Sequence, residues 1–286
     1  MNRIAFNFCD AVYHLLTINT IETIRDTLSS RLWEVSAQYH RKKRKNYSTN
    51  VYNELTEEWE NDISRTLAEV KRNPYARITE LLFDGYHHDG FDETVKEISE
   101  FELREALPFV AYEDHSSLEF GYHVPKKSLQ MIIKHLNTAN CFFSEIRELP
   151  KVSVACNHFL QKHIERKILK SLELSSGWTK SDTVWIKEVI GQHQLITFAS
   201  TARALVLDLN TFETYLFPPR MKRHHYPCFS SIVSFTPKEL VMLLERRGFT
   251  EIESNKHAGS FTLNNLMISF NFAKRHLSFS KFVSLD

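Results

Sequence analysis

Glycine is the count that most restricts this chain. There are seven in 286 residues, Gly85, Gly90, Gly121, Gly177, Gly191, Gly248 and Gly259, well under half the usual share of about 7%. They never cluster into a recognised phosphate-cradling motif, in which glycines let backbone N–H groups approach the anion. A P-loop, a dinucleotide fingerprint and a kinase-type loop are therefore excluded as motifs.

Hydrophobic residues make up 42% and charged residues 25%, ordinary globular values that exclude disorder over most of the length. At this size a core forms without disulfides or metal. Lys plus Arg at 36 against Asp plus Glu at 35 gives a net charge of +1, so no global field attracts nucleic acid or an anionic membrane. Cys9, Cys141, Cys156 and Cys228 form no C-x-x-C pair, so they are expected as reduced, buried thiols. Arg3, Asn7, Asp10 and His14 interrupt the N-terminal apolar residues before a signal core can form. No run reaches the ~18 to 20 apolar residues of a membrane helix. A cytoplasmic or nuclear protein that does not enter the membrane is the expectation.

Periodicity predicts two or three short helices over Phe8–Leu16 and Ile21–Tyr39, with Asn19 or Thr20 as a cap. The basic run Arg41-Lys42-Lys43-Arg44-Lys45 follows, and Asn46–Asn50 reads as a connector. An amphipathic helix is expected over Asn53–Lys71, where Leu55, Trp59, Ile63, Leu67 and Val70 recur at helical spacing. A strand over Arg77–Phe83 is followed by a helix up to Pro108, a strand or hairpin over Phe109–Tyr122 and a helix over Lys126–Leu136. In the second half, helical segments at Phe159–Leu169 and Ser181–Ile190 alternate with extended ones at Lys170–Leu174 and Leu195–Ala199. This is a loose strand-helix repetition with no fixed period. A strand at Arg203–Leu209 comes next. A helix over Lys238–Arg247 opens on Thr236-Pro237 and closes on Gly248, and strands over Phe249–Ser254 and Ser260–Phe272 turn at Asn264-Asn265. The fold class is α+β.

Candidate chemistry is sparse. His87 and His88 beside Asp84 and Asp89 could in principle hold a metal, but Gly85 and Gly90 already explain a solvated turn. Cys156, His158 and His163 fit no common zinc spacing and fall in a helical pattern. Glu54, Glu57, Glu58, Glu60 and Asp62 read as the solvated face of their helix rather than as acid and base pairs. No G-x-S-x-G elbow occurs. No catalytic residue, metal site or cofactor is implied, and the chain is expected not to be an enzyme.

One likeness goes further. Ile4, Phe6, Phe8, Asp10, Ala11, Val12, Leu15 and Leu16, then Leu28-Ser29-Ser30-Arg31-Leu32-Trp33 and Tyr39-His40-Arg41, resemble a degenerate F-box of the divergent nematode F-box-like families. Ala5 stands where that pattern places its proline. Phe159-Leu160, Leu169–Leu174 and Trp178 resemble the strand-helix units of the substrate-side domain in the same families. The resemblance implies an F-box-like helical head over residues 1–47 and a larger mixed interaction domain over 48–286, either whole or divided near 150. It further implies a non-catalytic substrate adaptor of a cullin-type ubiquitin ligase, with a Skp-type subunit and a protein substrate as partners. The residues expected at the Skp-type subunit are Ile4, Phe6, Phe8, Val12, Leu15, Leu16, Leu32 and Trp33. The alternative is a nucleic-acid-binding module that uses Arg41, Lys42, Lys43, Arg44 and Lys45, with a smaller basic group at Arg220, Lys222, Arg223, His224 and His225, in an electroneutral chain.

Overall fold

The computed structural model describes residues 8–13, 16–27, 31–52, 62–84, 100–113, 115–121, 124–192, 194–217, 228–263, 266–273 and 275–283. The chain is α+β and forms two compact units, Met1–Ser144 and Glu145–Asp286. Residues 1–47 belong to the first unit, and the boundary expected near residue 48 falls inside a strand. Among the described residues no helix is long and apolar enough to cross a membrane.

The first unit opens with helix α1 (8–13), α2 (Ile18–Thr27) and α3 (Arg31–Lys43). Thr17, rather than Asn19 or Thr20, caps α2: its hydroxyl accepts from the Thr20 N–H at 3.2 Å, satisfying a donor the helix leaves open. Strand β1 (Lys45–Tyr52) then occupies the stretch expected as a connector. Its inward positions Tyr47 and Thr49 alternate with exposed Asn46 and Ser48. Polar inward residues give no apolar period, so the strand was hidden.

After α4 (Asp62–Arg72), which buries Leu67 and Val70, comes β2 (Ala76–Asp84), parallel to β1. Helix α5 (Glu100–Ala106) ends before a 3₁₀ turn holding Pro108. The segment read as a strand or hairpin is one short strand, β3 (Ser117–Phe120), parallel to β2. Upstream of it, Val110 makes only an isolated bridge to Ile78. Helix α6 (Lys126–Ala139) completes the unit.

The second unit begins with β4 (Glu145–Leu149), α7 (Val154–Arg166), β5 (Ser171–Leu174), α8 (Thr183–Ile190) and β6 (Thr197–Ser200). The Arg203–Leu209 strand shrinks to β7 (Val206–Leu207), because Asp208 starts a helix, α9 (Leu209–Leu216), by accepting from the Thr211 N–H at 2.8 Å. Then follow β8 (Cys228–Val233), α10 (Pro237–Arg246), β9 (Thr250–Ser254), β10 (Ala258–Leu263), β11 (Leu266–Ala273) and β12 (His276–Val283). The cap expected for α10 is present: Thr236 and Glu239 form a reciprocal capping box with Pro237 in the first turn. Gly248 takes the left-handed φ of 85° just beyond the helix.

Strands lie in the order β4-β5-β6-β8-β12-β11-β10-β9. The first four are parallel, and Glu145, Ser171, Thr197 and Cys228 stand side by side in register. This in-register ladder fixes the repeat that the sequence left open. The steps from Glu145 to Ser171 and from Ser171 to Thr197 are equal, and the last, to Cys228, is longer and carries β7 as well as its helix α9. The remaining strands form an antiparallel meander. One sheet face carries Ile146, Leu172, Phe198, Phe229, Phe279 and Phe270, all buried. The opposite face is paved by Ser171, Thr197, Ser280, Ser269 and Ser260, all partly exposed. Buried Cys9, Cys141 and Cys156 meet the expectation for reduced thiols, whereas free Cys228 lies on this open face and is exposed.

Candidate functional site

A candidate surface is built on the N-terminal helices. In α3, Trp33, Ser36, Ala37 and His40 recur at three- and four-residue spacing and turn inward, with Arg44 continuing the stripe just past the helix. They meet Tyr13 of α1 and Ile21 of α2, where Tyr13, Ile21 and Ala37 form a cluster joined by Leu16, Ile24 and Trp33. The Tyr13 ring meets Trp33 edge-on at 5.3 Å, and its hydroxyl donates to the Trp33 carbonyl at 3.0 Å. His40 is fully buried between the edges of Tyr13 and Tyr75, with Nε2 2.9 Å from the Asp10 carboxylate. The Tyr75 hydroxyl donates to the same carboxylate. Burial, then the Asp10 and Tyr39 charges, push the Tyr75 phenol up to about 12. The head thus closes a small core of its own.

Outside that core three large apolar or aromatic side chains of the head are exposed. Phe8 is 63% exposed, Val35 46% and Tyr39 37%. Leu32 and Val12 are half-buried. Of the residues expected to meet a partner, Leu16 and Trp33 pack on the head's own cluster, and Phe8 stands most open among the described ones, its ring T-shaped to that of Trp33 at 6.3 Å. Ile4, Phe6 and Leu15 lie outside the described residues. Val35 and Tyr39 were missed as surface residues. Their spacing from Leu32, three and then four, carried the signal, but the polar residues between them obscured it.

The basic run does not form one patch. Arg41, Lys42 and Lys43 end α3 and Lys45 begins β1, all four exposed. Arg44, read with them as a surface cation, is buried: it donates to the Tyr13 carbonyl at 3.0 Å, the Leu16 carbonyl at 2.7 Å and the Glu113 carboxylate at 3.1 Å. Burial lowers its pKa from the ordinary arginine value and Glu113 opposes that shift. The physical reason is geometric, since Arg44 continues the buried stripe of α3 by one more turn.

The Cys156, His158 and His163 group does not converge. His158 points to solvent, while the Cys156 thiol donates to the Pro150 carbonyl at 3.4 Å. His163 is 1% exposed, hydrogen-bonds the Phe159 carbonyl through Nδ1 at 2.8 Å and packs on the Phe159 ring. Burial, the dominant cause, depresses its pKa to about 4. The unfolded chain, with a histidine near 6.5, binds that proton more readily, so stability is full above pH 6.5 and falls as pH drops toward 4. About 2 kcal/mol should be lost between pH 7 and 5 from this residue alone. Urea titrations of wild type and His163→Leu at both pH values check this: the variant should lose that part of the pH slope, and an equal slope in both would refute it.

Asp84 ends β2 half-buried, whereas His87, His88 and Asp89 lie outside the described residues. The carboxylates Glu54, Glu57, Glu58 and Glu60 do as well, and α4 is described from Asp62 onward. No protein-family model, curated protein or solved structure matches the chain.

Proposed function

We propose that the chain is a non-catalytic adaptor of the cytoplasm or nucleus, whose N-terminal helices dock a Skp-type subunit of a cullin-type ubiquitin ligase while the second unit captures a protein substrate. One observation carries the reading. The head encloses its own core through Tyr13, Ile21, Ala37 and Trp33, yet leaves Phe8 and Val35 exposed and Tyr39, whose ring packs edge-on against Tyr75, partly so. Large apolar and aromatic side chains on a rigid helical surface are the usual anchors of a protein interface. Arg44 and Glu113 fix that surface to the rest of its unit, so little ordering would be needed on binding. The substrate would meet the second unit, whose in-register strands present a broad, hydroxyl-lined sheet face.

Full-length protein titrated with a purified Skp-type subunit tests the reading, beside the double variant Phe8→Ala, Val35→Asp. Both substituted side chains are exposed, so circular dichroism should be unchanged, while affinity should drop by at least about tenfold, the smallest loss expected from one interface anchor. Absence of binding by folded wild type at micromolar concentration would refute the adaptor role.

A further inference from the structure

We infer that the surface α3 docks against is acidic, with carboxylates flanking an apolar centre; this rests on the adaptor reading and specifies the chemistry of the partner's face. Leu32, Val35 and Tyr39 make a continuous apolar band along α3. Arg31 stands at one end of that band, and Lys42 and Lys43 at the other. Lys43 lies 5.0 Å above the centre of the Tyr39 ring, holding its ammonium against the band.

These three cations have no carboxylate within ion-pair distance among the described residues. Their neighbours differ in this respect: Arg25, Arg41, Arg44 and Lys71 are each paired, with Asp26, Glu22, Glu113 and Glu105 respectively. Helix dipole explains only part of the pattern. Lysines in the last turn of α3 are favoured by the negative helix end, but Arg31 occupies the first position, where the dipole disfavours a cation. Charge of one sign at both ends of an apolar band is complementary to a protein surface that carries carboxylates at both ends of an apolar patch.

A phosphate backbone fits less well. The middle of the band is aliphatic at Leu32 and Val35, and the burial of Arg44 interrupts the one sequence run that could track successive phosphates.

The test measures affinity of the full chain for the purified Skp-type subunit at about 50 mM and about 500 mM salt, where exposed charges are lightly and heavily screened. Wild type is compared with Lys42→Glu, Lys43→Glu and with Arg31→Glu, all at exposed positions and checked by circular dichroism. At low salt each charge reversal should weaken binding roughly tenfold or more, and the difference should shrink at high salt. Wild-type binding that ignores salt, or reversals that bind as tightly as wild type, would overturn the inference while leaving the adaptor reading intact. Failure of wild type to bind the subunit at either salt would overturn both. A DNA or RNA duplex of about 20 base pairs, bound by wild type and released by the same reversals with a steep salt slope, would replace the acidic protein face with phosphate.

Discussion

Glu113→Ala is expected to cost about 3 to 5 kcal/mol of folding stability, the penalty for stranding one partner of a buried ion pair. The Arg44 side chain is 2% exposed and that of Glu113 9%. The guanidinium would be left in the interior with only the neutral carbonyls of Tyr13 and Leu16 to donate to, and with the Arg77 charge nearby. Arg44→Ala should cost a similar amount, because it abandons the carboxylate and removes the donors from both carbonyls. The double variant Arg44→Met, Glu113→Leu should recover most of the loss, since replacing both charges with apolar groups removes their desolvation penalty along with their attraction. Urea unfolding at pH 7 reads all three. Single variants within about 1 kcal/mol of wild type would mean that the pair is solvated in solution. The pair secures the Tyr13 and Leu16 carbonyls to the segment before β3, so if the proposed adaptor role holds, losing it should weaken subunit binding even where Phe8 and Val35 are intact.

The parts of the fold legible in the sequence are those whose local chemistry agrees with their environment. Helix α10 announced itself by Thr236, Pro237 and Glu239 at its start and Gly248 past its end. Helix α6 showed through Leu129, Ile132, Ile133 and Leu136, all buried. Strand β1 was missed because Thr49 and Tyr47 supply its inward positions. Helix α9 was missed because Leu205 and Leu207 alternate as a strand would, and only the cap at Asp208 marks the change of period. The strand repeat was hard to read for a related reason. Strands β5 and β6 are four residues long, each with two buried positions, so each gives too few alternations to stand out.

The candidate surface was legible only in outline. Sequence pattern placed apolar residues on short N-terminal helices, and the structure divides them between core and solvent by their angular position. Trp33 and Val35 are two residues apart on α3 and so face different ways: the first packs against Tyr13, the second is exposed. The same angular rule turns Arg44 inward while Lys43 points out. Distinguishing these neighbours required the axis of α3 relative to α1 and α2, which depends on contacts between residues far apart in sequence, such as Tyr13 with Trp33 and Asp10 with His40.

Phe229→Ala should destabilise the second unit by about 3 to 5 kcal/mol, the range for emptying a buried aromatic site. Phe229 is fully buried at the middle of the sheet, in register with Phe198 on β6 and Phe279 on β12. Its ring meets Phe212 edge-on at 5.0 Å, Tyr215 at 5.5 Å and Phe198 at 5.7 Å. Those neighbours come from α9 and β6, so no single element can shift to fill the void without disturbing another. The Tyr215 hydroxyl is held in place besides, its one proton shared between the Ile196 and Cys228 carbonyls, each 2.6 Å away. The cavity should therefore stay open, putting the cost toward the upper end of the range. Phe229→Leu keeps most of the volume and should cost well under half as much. Because Phe229 belongs to the second unit, any binding of a Skp-type subunit under the proposed adaptor role should persist at temperatures where the variant remains folded. Denaturant midpoints for the two variants, read beside subunit affinity, decide both points: equal losses for alanine and leucine would show that the site collapses freely, and lost subunit binding by a folded variant would show that docking does not belong to the N-terminal helices alone.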